Sequence, residues 1–79
     1  MVDGLTDTER ARLRQQAAAA GVPYATLVGQ HLYDLRGLAD VLAGELDQAR
    51  QAGDDRQVAA ATRKLARCRS QIAAYEREG

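Results

Sequence analysis

Seventy-nine residues make at most one domain, and the larger apolar side chains are mainly leucines and valines, so the core is thin and self-association as a homodimer is expected. Eleven Lys/Arg balance eleven Asp/Glu, so no overall field draws the chain to nucleic acid or membrane, and an electrostatic partner must use a local patch. One cysteine and one histidine leave no internal disulfide and argue against a metal site or cofactor, while no apolar run is long enough for a leader or a bilayer span, which makes the cytoplasm the expected location.

The first predicted helix spans residues 6–20. Thr6 is placed to cap it, and Glu9, three residues on, returns the bond. Asp7 and Glu9 suit its positive end. Its apolar stripe is narrow, consisting of Leu13, Ala17 and Ala20 with Leu5 just ahead. Gly21 ends it, and Pro23 fits the opening turn of a second helix.

The second predicted helix spans residues 23–52. Val28, His31/Leu32, Leu35, Leu38, Leu42, Leu46 and Ala49 recur at helical spacing. Gly29, Gly37 and Gly44 interrupt the pattern, each costing up to ~1 kcal/mol relative to alanine. Gly37 is the position at which this helix would bend. Alternatively, the glycines admit another backbone.

The turn at Gly53-Asp54-Asp55 leads to a third predicted helix over residues 55–78, with Asp54 and Gln57 as its capping pair. Here the periodicity is cleanest. Val58, Leu65 and Ile72 are seven apart, and so are Ala61, Cys68 and Tyr75. That is the a/d seam of a coiled coil. Because the turn is short, the second helix is the natural facing surface. The expected fold is therefore all-α, a short first helix followed by a long antiparallel hairpin, pairing into a dimeric bundle. Val28, Leu35, Leu38, Leu42, Val58, Leu65, Cys68, Ile72 and Tyr75 form the expected hairpin or dimer seam.

Catalytic constellations are weak. His31 lies on the inward side of the second helix with no Ser, Cys or Asp partner placed by the sequence. Cys68 fills a seam position, whereas reactive cysteines occupy exposed electropositive sites. No glycine-rich phosphate loop is present, and no small-molecule substrate is evident. The chain reads as a non-enzyme.

Charge is uneven along the chain. Residues 1–53 carry five Arg against seven acids, and residues 54–79 carry six Lys/Arg against four acids. On the third helix Arg56, Arg63 and Arg77 share the line farthest from the seam, with Arg67 one turn beyond Arg63 and Lys64 nearby. This stripe is a candidate phosphate contact; such charges also serve as a solvated coiled-coil face.

Residues 5–36 resemble the helical part of ribbon-helix-helix proteins, small dimeric bacterial repressors and antitoxins. The resemblance is carried by Leu5-Thr6-Asp7, Glu9, Leu13, Ala17, the run Gly21-Val22-Pro23-Tyr24-Ala25-Thr26-Leu27-Val28, and Leu32. It implies that the first backbone N–H groups of the second helix contact DNA phosphate, with Pro23, Tyr24 and Ala25 as the matching positions. It also implies a paired β-ribbon for base reading, where this chain has only Met1-Val2-Asp3-Gly4. The functional expectation is a DNA-associated regulator of repressor or antitoxin type. The alternative is a helical module that binds a protein partner and no nucleic acid.

Overall fold

The computed structural model describes residues 4–78 as three helices, α1 (Asp7–Ala20), α2 (Tyr24–Ala52) and α3 (Asp55–Glu78), with no strand among the described residues. The segment 1–5, where a ribbon strand would run into α1, falls mostly outside them. Of that segment, Gly4 lies in a bend and Leu5 is buried.

Local chemistry sets each helix end. The Thr6 hydroxyl accepts the Glu9 N–H at 3.1 Å, and the Glu9 carboxylate accepts the Thr6 N–H at 3.1 Å. This reciprocal pair satisfies two donors that an uncapped helix would leave bare. At the other end Gly21 turns left-handed (φ 70°). Its N–H then reaches the Ala18 carbonyl, and the Val22 N–H reaches that of Ala17. The same closure recurs after α2, where Gly53 (φ 69°) and Asp54 bond back to Arg50 and Ala49. Glycine suits both places because a Cβ penalises this conformation. Asp54 then caps α3, its carboxylate accepting the Gln57 N–H at 3.2 Å.

Helix α2 is helical throughout, Gly37 included. A Cβ added at Gly29, Gly37 or Gly44 would meet nothing within 4 Å. These glycines therefore do not serve close packing inside the chain.

Helices α2 and α3 form the expected antiparallel hairpin. Its core is Leu42, Leu46, Ala61, Leu65 and Cys68, flanked by Leu35, Ala39, Val58 and Ile72. Each fully buried leucine contributes about 1.5–3 kcal/mol relative to exposure. Leu38, expected on the hairpin or dimer seam, is 47% exposed and so lies outside the hairpin core. Small Ala39 takes the inward place instead. The Cys68 thiol, packed 3.2 Å from the Leu35 carbonyl, brings α3 to the Leu35–Ala39 side and leaves Leu38 on the rim.

A second cluster joins α1 to the open end of the hairpin. Leu5, Leu13 and Ala74 are buried there against Tyr24, Leu27 and Tyr75. Ala74 lies about half a turn round α3 from Leu65. It is buried because Leu5 and Leu13 cover a face of α3 that a bare hairpin would leave solvated.

Candidate nucleic-acid interface

From Arg56 to Tyr75, α3 carries no carboxylate, while Arg56, Arg63, Lys64, Arg67 and Arg69 supply five positive charges. All five are exposed, and among the described residues none takes part in an ion pair. At 100° per residue Arg56, Arg63 and Arg67 fall on the side opposite Leu65, with Lys64 and Arg69 flanking the seam. The helix end pulls the other way. Glu76 pairs with Arg36 at 3.1 Å, and the Arg77 stem lies beside Gly4. The basic face therefore runs from Arg56 to Arg69, roughly 20 Å at 1.5 Å per residue. That length of duplex carries about a dozen phosphate charges.

The α1–α2 junction places its candidate residues differently. Pro23 and Ala25 are exposed, and the N–H groups of Tyr24 and Ala25 have no protein acceptor among the described residues. Tyr24 itself is half-buried and committed. Its hydroxyl donates to Glu78 at 2.7 Å, and the Arg14 guanidinium lies 5.4 Å from its ring centre. Arg10 holds the same carboxylate through Nε, at 2.9 and 3.0 Å. The Tyr24 hydroxyl, with the Arg10 guanidinium next, holds the Glu78 carboxyl below its ordinary range. Burial, with the Glu78 hydrogen bond second, raises the Tyr24 hydroxyl. The Glu78 carboxylate beside the first residue of α2 is thus already paired with Arg10 and Tyr24, whereas the five α3 cations have no ion-pair partner among the described residues. Of the two candidate surfaces, the α3 face has the more favourable electrostatics.

The remaining marked residues lie in or beside the packed interior. Cys68 is 3% exposed and donates to the Leu35 carbonyl, sealed in the hairpin core. His31 is half-buried and stacks on Tyr75, ring centres 5.4 Å apart. Val28, Leu42 and Leu65 are buried, while Leu35, Val58, Ile72 and Tyr75 are half-buried. No cluster of His, Cys, Asp or Glu able to hold a metal occurs among the described residues, and no helix there is long and apolar enough to cross a membrane.

Two features do not follow from helical spacing. The acid-free run from Arg56 to Tyr75 is present in the sequence but masked by the zero net charge. The tie from Arg10 and Tyr24 to Glu78 joins residues 68 and 54 positions apart and has no local signature.

Comparison with family models, with curated proteins and with solved structures gives no match. What the chain does is therefore read from its own residues.

Proposed function

We propose that this chain is a small non-enzymatic DNA-associated regulator, repressor- or antitoxin-like, whose main phosphate contact is the outer face of α3. The observation that carries this is the exposed, carboxylate-free run containing Arg56, Arg63, Lys64, Arg67 and Arg69, none of them ion-paired among the described residues. A merely solvated helical face gains stability from mixed charge at i,i+4, which this run lacks. Unpaired cations gain instead by displacing the counterions of a polyanion. The resemblance of residues 5–36 to ribbon-helix-helix proteins gives the regulatory class. Without a described strand, base-specific reading is not part of the proposal.

The test is binding to labelled duplex DNA across a salt series. The logarithm of the affinity should fall linearly with the logarithm of salt concentration. R56A/R63A should reduce the slope by about 1.8 for each α3 face engaged, since each phosphate neutralised contributes roughly 0.9. Absence of binding at low salt with tens of micromolar protein overturns the reading.

A second reading is supported by a different observation. Tyr33, Leu38 and Val41 are large apolar side chains left exposed on α2. On this reading the chain is an interaction module with a protein partner and no DNA affinity. A stoichiometric partner that co-purifies, together with a flat salt series, decides for it.

A further inference from the structure

Helix α2 carries a second stripe beside the one that closes the hairpin. Asp34, Leu38, Val41, Glu45 and Gln48 follow at spacings of four, three, four and three, the rhythm of a packing seam. Nothing among the described residues covers its centre, where Leu38 is 47% and Val41 58% exposed. Gly37 and Gly44, next to it, open onto free space. The stripe borders a groove of about 380 Å³ between the helices, lined by Leu38, Leu42 and Glu45 from α2 and by Lys64, Arg67 and Gln71 from α3. The groove is acidic on the α2 side and basic on the α3 side. Glu45 is not ion-paired to either cation.

The shape of the molecule indicates what covers this face. The chain exposes 5751 Å². A compact monomer of its 8.5 kDa would expose roughly 4,650 Å². The surplus of about 1,100 Å² exceeds the ≈ 800 Å² that each partner of a standard interface buries. The radius of gyration is 15.2 Å, against about 11.6 Å for a compact chain of this length. Each copy is a slab of 47 × 25 × 16 Å, with its apolar groove on the hairpin.

We propose that a second copy of this chain occupies the groove, related by a two-fold axis parallel to the helices. That operation lays α2 of each copy over α3 of the other. Glu45, level with Lys64 in its own chain, then comes to lie over Lys64 and Arg67 of the second copy. Leu38 and Val41 of both copies are buried between the hairpins, and the product is a four-helix bundle. The opposite stacking, α2 on α2, would oppose acid to acid and leave Lys64 and Arg67 unpaired. Charge therefore selects both the partner and its orientation.

Sedimentation or light scattering without DNA, over a wide concentration range, tests this. Wild type should dimerise. L38E/V41E changes only exposed positions and should remain helical but monomeric, with dimer affinity lowered by at least an order of magnitude. E45K alone, and K64E/R67E alone, should each dimerise weakly. Mixing those two proteins should restore a heterodimer, because both of its contact sites then pair opposite charges. A wild-type monomer at hundreds of micromolar overturns the proposal, as does a dimer that survives L38E/V41E. A mixture of the charge variants that stays monomeric also overturns it.

Discussion

At the scale of single residues, burial separates positions that the sequence pattern treats alike. Leu38 and Leu65 both fall on predicted seams, yet Leu65 is 5% exposed and Leu38 47%. Leu65 sits among Leu42, Leu46, Ala61 and Cys68. Truncating it removes its transfer energy and leaves a cavity, so Leu65→Ala should cost about 2–5 kcal/mol. That is a large fraction of the stability of a small domain, which is roughly 5 kcal/mol at the low end. Urea unfolding followed by helical circular dichroism reads it directly. A cost below about 0.5 kcal/mol, as expected of a surface site, would show that the hairpin core lies elsewhere. Cys68 reports on the same core by chemistry. A thiol 3% exposed and bonded to a backbone carbonyl cannot be approached by a labelling reagent. Modification should therefore be slow in the native state and track unfolding as urea is raised. Rapid labelling in buffer would contradict its placement.

At the scale of elements, α1 is the part least able to hold itself. Only Leu13 and Ala17 of α1 are buried, and a fourteen-residue helix is marginal in water by itself. Its attachment adds the cluster around Leu5, Leu13 and Ala74 and the bonds of Arg10 and Tyr24 to Glu78. The hydrogen bond from the Thr6 N–H, with that from the Thr6 hydroxyl second, holds the Glu9 carboxyl low, as the Tyr24 hydroxyl and Arg10 hold Glu78. A carboxyl lowered on folding stabilises above its unfolded value, about pH 4.5, and loses that contribution as pH falls through the lowered one. Tyr24 and Tyr75 are raised, chiefly by burial. Their contribution is present below about pH 10 and is lost as pH rises through the raised values. Melting temperature should thus be flat near neutrality and fall at both extremes. Glu78→Gln should flatten the acid limb, and Tyr24→Phe the alkaline one. An unchanged acid limb in Glu78→Gln would remove this tie from the account. The contrast with the hairpin explains what is legible in the sequence. Helix ends follow from residues three or four apart, such as Thr6 with Glu9, and from glycines that close a turn. The hairpin follows from heptad spacing and a short connection. The Leu38–Ala39 exchange depends on how two helices cross, and the Glu78 tie depends on bringing both ends of the chain together. Neither leaves a trace in local spacing.

At the scale of the whole molecule, zero net charge conceals a division between helices. Helix α2 holds four acids and two bases, and α3 six bases and three acids. One slab therefore presents an acidic and a basic edge, which bears on both proposals at once. Self-association would use Glu45 against Lys64 and Arg67, leaving Arg56 and Arg63 of each copy on outward surfaces. A dimer then carries two phosphate-binding faces, and engaging both on one duplex makes the second contact intramolecular. Such linkage strengthens apparent affinity by about 10²–10⁴ when the geometry permits both contacts. L38E/V41E, which touches neither Arg56 nor Arg63, should consequently weaken DNA binding by about a hundredfold or more and roughly halve the salt slope, as one face replaces two. R56A/R63A should do the reverse, leaving the sedimentation of the protein alone unchanged while lowering the slope. The two variants thus separate assembly from phosphate contact. If L38E/V41E abolished dimers but left affinity and slope intact, a single α3 face would suffice for DNA binding, and the two faces of the dimer would have to point where one duplex cannot meet both.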